Sequence, residues 1–247
     1  MMVAGKHVMV SGGGSGVGAE IARAFAEAGA RVCILGRDEQ KLKAQRLPYR
    51  VCDVTDLEQV KHAFEGAHKD FGTIDIAVAN AGAADSVPFS KMTPDTLQAM
   101  LSVNLLGVFN LWHTALYDMK AVGWGRMIAI ASTAGLKGYP YVSAYCAAKH
   151  GVVGLTRSLA QELGPANITV NAICPGFIET PMLERSIANI VAKTGMSADD
   201  AAKTLRKGNP QDRFIQTDEV AGAALWLCSE AARSVNGHTL SLSGGEI

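Results

Sequence analysis

The chain has 247 residues, 48% hydrophobic and 19% charged, a balance that supports a sizeable buried core and excludes an extended disordered protein. Twenty-three Lys and Arg against twenty-three Asp and Glu leave no formal net charge, so neither a nucleic acid nor an anionic membrane is indicated as a partner. Residues 8–19 form a glycine-dense run without the apolar stretch of a signal peptide, and too short to cross a bilayer, so the expected compartment is cytoplasmic.

Five cysteines (Cys33, Cys52, Cys146, Cys174, Cys228) are odd in number and form no C-x-x-C pair. They read as reduced, buried small hydrophobes, and no metal site is expected. The six histidines are scattered and read as surface residues.

In chain order, residues 7–10 read as a strand and 19–27 as an Ala-rich helix closed by Gly29. A strand at 31–35, a short charged helix at 39–46 and a brief strand at 49–52 follow. Asp56 stands as the N-cap of a helix running to about Asp70, and 74–79 reads as a strand covered on both faces. After a loop, Thr93-Pro94 opens a largely helical stretch reaching Lys120. Then come a strand at 126–131, a helix at 144–163 closed by Gly164-Pro165, a strand at 168–173, a helix at 217–229 and a last strand at 239–242. This alternation predicts an α/β fold in a single domain: a doubly wound parallel sheet of about seven strands with helices on both faces. Ligands of such sheets bind beyond the carboxyl ends of the strands, and the candidate functional residues fall there.

The run Ser11-Gly12-Gly13-Gly14-Ser15-Gly16-Val17-Gly18 follows the first strand and opens the first helix. Glycines there permit close backbone approach, and a helix N-terminus offers free N–H groups to a phosphate. The spacing G-x-G-x-x-G fails, whereas [S/T]-G-x-x-x-G-x-G fits through Ser11, Gly12, Gly16 and Gly18. A merely flexible strand-to-helix turn is the alternative reading.

Tyr145 and Lys149 form Y-x-x-x-K, one turn apart on one helical face. Ser132 stands at the carboxyl end of the fifth strand, thirteen residues before Tyr145. Asn104 places an amide among Leu101, Val103, Leu105, Leu106 and Val108, where it needs hydrogen-bond partners or costs about 1–3 kcal/mol. A phenol can protonate a carbonyl oxygen as hydride arrives at carbon, and a nearby lysine favours the phenolate needed in reverse.

The glycine pattern resembles that of the short-chain dehydrogenase/reductase family, in which this turn holds the adenine side of NAD or NADP. The resemblance covers nearly the whole chain and adds Ser15 and Val17 as cofactor contacts. Asp53 and Val54, after the third strand, are similar to the family's adenine-contacting acid and its neighbour. Asn80-Ala81-Gly82 matches the last three positions of the family's N-N-A-G, with Ala79 in place of the first asparagine. Pro175-Gly176, with Ile178 and Thr180, is similar to the segment around the nicotinamide amide and phosphates.

Asn104, Ser132, Tyr145 and Lys149 match the family's catalytic tetrad in order and spacing. The match implies hydride transfer between a secondary alcohol and a ketone, with Tyr145 as acid and base. Ser132 would bind the substrate oxygen and Lys149 the nicotinamide ribose, with Asn104 holding a water that links Lys149 to solvent. His150 points about 100° around the helix and reads as packing. Tyr139 and Tyr141 read as walls of the substrate mouth. An intact tetrad weighs against a non-catalytic dinucleotide sensor or scaffold.

No acid occupies Gly36 in Leu35-Gly36-Arg37-Asp38, and Arg37 can pair with a 2′-phosphate, which favours NADP(H) over NAD(H). Neutral Ser15 and the adjacent Asp38 point the other way. Residues 177–209 are expected to form a substrate lid, with Met182, Leu183, Ile187, Ile190 and Val191 along one amphipathic helix. The runs 132–135, 149–154 and 172–177 resemble ketoreductases of aromatic polyketide synthesis and 3-ketoacyl reductases, implying a 3-hydroxyacyl or 3-ketoacyl compound or an aryl ketone as substrate. Apolar residues at Leu111, Trp112, Leu116, Val152, Val153, Leu155 and Leu159 suggest surplus surface for self-association, and the family commonly forms homotetramers.

Overall fold

Each strand is followed by a segment that returns over a sheet face, so successive strands run parallel. The computed structural model describes residues 3–247. Its strands are β1 (His7–Ser11), β2 (Arg31–Gly36), β3 (Tyr49–Val51), β4 (Ile76–Ala79), β5 (Gly125–Ile130), β6 (Ile168–Pro175) and β7 (Thr239–Leu242). They form one seven-stranded sheet in the order β3-β2-β1-β4-β5-β6-β7, with every pairing parallel. The chain leaves β1 toward β2 on one side and resumes at β4 on the other, which opens a crevice above the carboxyl ends of β1 and β4.

Period-two alternation sends each strand's side chains into two cores. Met9, Cys33, Leu35, Ala77, Met127 and Ala129 face one side of the sheet, with Phe64 of α3 (Leu57–Phe71), Trp112 of α5 (Gly107–Val122) and Val152 of α6 (Ser143–Leu163). Val8, Val10, Ile34, Ile76, Val78, Ile128 and Ile173 face the other, with Ile21 and Phe25 of α1 (Gly16–Glu27) and Val220 and Leu227 of α9 (Thr217–Leu227). The remaining helices are α2 (Glu39–Ala44), α4 (Pro94–Leu101), α7 (Pro181–Thr194) and α8 (Ala198–Arg206).

The expected caps form. Asp56 accepts from the backbone N–H groups of Glu58 and Gln59, and Thr93 accepts from that of Thr96. The stretch Pro94–Val122 is long and apolar enough to cross a membrane by length and composition. Here it packs on the sheet, burying Leu111, Trp112, Ala115 and Met119. Its interior is a π-helical segment, Ser102–Leu106, between α4 and α5. An inserted turn of this kind rotates the flanking helical faces, and it brings Asn104 to full burial.

Three expectations need correction. His7 is buried, with its Nδ1–H on the Gly72 carbonyl at 2.8 Å and its ring edge-on to Phe71, whereas the other five histidines are exposed. Leu111, Trp112, Val152 and Val153 belong to the sheet-facing core, so they supply no surplus surface. Apolar surface on these helices comes instead from Leu106, Phe109 and Tyr117. The fourth strand begins at Ile76, because Asp75 serves as an anchor below it, accepting from Lys6 Nζ at 2.8 Å and the His7 backbone N–H at 2.9 Å. All five cysteines are buried free thiols, as expected.

Candidate active site

The glycine turn is fastened to β4 across the crevice. Ser11 Oγ accepts from the backbone N–H groups of Asn80 and Ala81 at 3.0 and 3.1 Å. Asn80 Nδ2 donates back to the Ser11 and Gly12 carbonyls at 3.1 and 3.3 Å. Gly12 has φ +66°, and a Cβ on Gly18 would lie 2.3 Å from the Gly12 carbonyl oxygen and 2.4 Å from Asn80 Nδ2. Only glycine permits this approach. Ser11 and Asn80 therefore spend their polar groups on shaping the turn.

The N-terminus of α1 is left open to a ligand. Its N-cap residue, Ser15, is extended and makes no side-chain cap bond, and the first turn carries no acidic residue. Free N–H groups at the positive end of a helix dipole, above a turn of glycines, suit a dinucleotide pyrophosphate. A Cβ on Gly16 would lie 3.5 Å from Thr180 Cγ2, so the segment after β6 flanks the same crevice. Thr180 caps α7, while Ile178 bridges to Ile215.

Arg37 and Asp53, which follow β2 and β3, face each other at 3.7 Å, with the Arg37 side chain 76% exposed. Burial opposes ionisation of Asp53. Hydrogen bonds from the Thr55 N–H and hydroxyl, with the charge of Arg37, outweigh it and hold the carboxyl below its ordinary value. Asp38 caps α2, accepting from the Gln40 and Lys41 N–H groups at 3.1 and 3.2 Å. Val54 is buried, and its carbonyl accepts from Asn110 Nδ2 at 2.8 Å, an anchor that sequence reasoning missed.

The proposed tetrad gathers above β5. Ser132 caps a short 3-10 turn, Thr133–Gly135, its Oγ accepting from the Ala134 N–H at 3.1 Å. A Cβ on Gly135 would lie 2.8 Å from the Lys149 carbonyl oxygen, so this turn presses on α6. Tyr145 lies close enough to Ser132 for that side chain to pull the phenol's pKa down, and Lys149 Nζ lies 5.5 Å from the Tyr145 ring centroid. Nζ donates to the Ile130 carbonyl at 2.9 Å. Asn104 lies next to the loop after β4, with Nδ2 on the carbonyls of Ala83 and Met100 at 2.8 and 3.1 Å and Oδ1 accepting from the Ala83 N–H at 3.3 Å. Its amide makes no hydrogen bond to Lys149 and fastens the π segment to that loop.

Burial dominates the electrostatics. Tyr145 is half-buried. Desolvation pushes its pKa up to about 12, and the neighbouring Ser132 side chain pulls it back. Lys149, buried, is lowered to about 8 by desolvation. The expectation that Lys149 lowers the phenol pKa is not met in this state: its ammonium approaches the ring face and bonds to Ile130, so the hydroxyl responds to Ser132 instead. Below the turn, the buried Cys174 thiol is raised to about 11, which keeps it protonated at neutral pH. His150 is exposed and bonded to the Cys146 carbonyl, outside this cluster.

Tyr139 and Tyr141 divide in role. Tyr139 is hydrogen-bonded to Thr133 and Glu246, and Tyr141 is 65% exposed with φ +67°, its carbonyl accepting from the Val87 N–H. Residues 177–209 fold mainly as α7 and α8, and Lys193 of α7 donates to the Ser86 carbonyl at 3.0 Å across the mouth.

Comparison with known proteins agrees with this architecture. Residues 12–246 match a family model described as enoyl-(acyl carrier protein) reductase. A D-beta-hydroxybutyrate dehydrogenase of Cupriavidus necator is 35% identical, covering 99% of this chain and 98% of its own. A putative ketoacyl reductase of granaticin polyketide synthesis from Streptomyces violaceoruber is 36% identical, covering 96% of this chain and 91% of its own. The solved structure of an actinorhodin polyketide ketoreductase variant with NADPH superposes with a TM-score of 0.95 at 31% identity, covering 100% of this chain and 98% of that one. The chain belongs to the short-chain dehydrogenase/reductase family. It is an NAD(P)-dependent oxidoreductase that interconverts a secondary alcohol and a ketone by hydride transfer.

Proposed function

We propose that the chain reduces the ketone of a 3-ketoacyl compound or an aryl ketone with NADPH, and that Tyr145 donates the proton. The observation that carries this reading is the placing of the Tyr145 phenol beside the Ser132 side chain and buried Lys149. The substrate class rests on the ketoacyl reductase and hydroxybutyrate dehydrogenase relatives. When bound, the nicotinamide supplies hydride to the carbonyl carbon. Negative charge then grows on the carbonyl oxygen, which is held between the Ser132 and Tyr145 hydroxyls. One lone pair of Ser132 is occupied by the Ala134 N–H, which orients its O–H toward the opening. Lys149 carries its charge at neutral pH, since its pKa of about 8 lies above 7, and it supports the phenolate left after transfer.

With the phenol pKa near 12, Tyr145 is protonated throughout the neutral range. Ketone reduction, which uses the protonated phenol, should hold level between about pH 6 and 8, while alcohol oxidation, which needs phenolate, should climb from about pH 7 to 10. Tyr145→Phe should lower both directions by about a thousand-fold and leave cofactor binding intact. Turnover of the variant within a few-fold of the parent, or an oxidation rate that falls with pH, would refute the assignment.

NADP(H) is favoured over NAD(H) on the side-chain geometry. Asp38 is committed to capping α2, so it is not free to bind a ribose 2′-hydroxyl, and Arg37 is exposed and held only at 3.7 Å. Lys41 adds a second cation near the turn, its Cβ lying 3.2 Å from a Cβ built on Gly14. Arg37→Ala should lower kcat/KM with NADPH about ten- to a hundred-fold and leave NADH use nearly unchanged, measured in parallel with both cofactors. Equal losses, or a parent that prefers NADH, would overturn this choice.

The segment 177–209 acts as the substrate lid in this reading, with the Lys193–Ser86 contact as its latch. The enzyme works in the cytoplasm as a homotetramer, without nucleic-acid or membrane partners. Support for assembly comes from a groove of about 570 Å³ lined by Leu101, Leu105, Leu106, Phe109 and Leu155, beside the open surface at Gly154. A second copy placing its own α5 and α6 there would cover Phe109 and Leu106, which are 42% and 41% exposed. Light scattering at micromolar concentration should give four times the chain mass, and Phe109→Glu should dissociate the assembly. A parent that scatters as a monomer would rule it out.

A further inference from the structure

The last residues fold back into a junction outside the tetrad, beside Gly176, where a Cβ would lie 3.5 Å from Glu246 Oε2. Glu246 has a side chain only 7% exposed, and its Oε1 forms an ion pair with Lys137 Nζ at 2.8 Å. The Tyr139 hydroxyl donates to the same Oε1 at 2.8 Å and lies 2.7 Å from Thr133 Oγ1, whose proton is free to reach the phenol oxygen. Lys137 also stacks over the Tyr139 ring at 4.9 Å. Thr133, Lys137 and Tyr139 all belong to the segment between Ser132 and Tyr145. Thr133 directly follows Ser132.

On its other side the same tail meshes with the end of the lid. A Cβ on Gly208 would lie 2.7 Å from Glu246 Oε1, and a Cβ on Gly244 only 1.9 Å from Asn209 Oδ1. Gly244 and Gly245 have φ +65° and +99°, which bend the tail into this gap. Asn209 is itself held, accepting from the Gln211 N–H and donating to the Arg213 carbonyl, both at 2.8 Å. A carboxylate withdrawn from water must be paired, and here its partners all come from the catalytic segment.

We propose that Glu246 is a positioning residue: its carboxylate ties the segment behind Ser132 to the base of the lid, so that the lid's placement and the orientation of the substrate-binding hydroxyl are set together. Substrate affinity is then coupled to the tail, whereas the glycine turn after β1 lies outside the tail's contacts; Glu246 reaches the cofactor side only at Gly176, where a Cβ would lie 3.5 Å from its Oε2. This rests on Ser132 as the group that faces the carbonyl.

Two measurements on the intact chain test it. Hydrogen exchange of Glu246→Ala should rise together in 133–142 and 203–214 and stay at the parental level in 11–18. In steady-state kinetics the same variant should raise the ketone KM about ten-fold while the NADPH KM stays within about two-fold. Tyr139→Phe, which leaves the tail intact, should reproduce the ketone effect in part, and Glu246→Gln, which keeps an acceptor for Tyr139, should fall between. Exchange that rises in only one segment, or ketone and NADPH constants that change in step, would overturn the coupling. So would an unaltered ketone KM in Tyr139→Phe, the arm that decides if Glu246→Ala fails to fold. Loss of the Tyr145 role would leave the exchange result standing, so the two ideas fail separately.

Discussion

The close approach of β1's turn to β4 is the constraint on which the rest of the site depends. Gly12 and Gly18 come so near each other and Asn80 that no side chain fits between them, and Ser11 and Asn80 lock the approach with reciprocal hydrogen bonds. This fixes where α1 begins and therefore where its free N–H groups point. It also fixes the loop after β4, whose Ala83 holds Asn104 and, through it, the π segment leading into α5. The proposed cofactor cradle and one corner of the proposed catalytic cluster are thus parts of one hydrogen-bonded structure.

The hydroxyls proposed for catalysis depend on a second close packing, between the turn after β5 and α6. Gly135 rests on the Lys149 carbonyl, which sets Ser132 beside Tyr145. Burial then does two opposite things. It raises the phenol, which keeps the phenol protonated at neutral pH, and it lowers the lysine to about 8, which still leaves the lysine charged there. The Ser132 side chain is the contact that draws the phenol back toward ionisation.

Most of the fold was legible because strands buried on both faces and capped helices leave local marks. Asp56 and Thr93 cap where their sequence context predicts, and the parallel seven-stranded sheet follows from the βα alternation. What was not legible depended on contacts between distant residues. The π segment has no local pattern beyond an amide in an apolar helix, because the Ala83 loop that holds that amide lies twenty-one residues earlier. His7 is buried only because Gly72 and Phe71 meet it at the foot of the sheet. The apolar residues assigned to surplus surface at Leu111 and Val152 turned inward, since helix periodicity alone cannot say which face meets the sheet. In the site, the glycine turn and the four polar positions were readable from spacing, whereas the pairing of Ser11 with Asn80 and the tail's Glu246 were not.

The central claim, that this close approach aims the α1 N-terminus at the cofactor, is tested most directly by titrating NADPH calorimetrically into Gly18→Ala. A Cβ there collides with the Gly12 carbonyl oxygen at 2.3 Å, so the turn must open and the N–H groups lose their aim. The account predicts affinity weakened by at least about ten-fold, or roughly 1.4 kcal/mol. Gly222→Ala, where a Cβ would meet nothing within 4 Å, should bind like the parent. Parental affinity in a folded Gly18→Ala variant would contradict the claim.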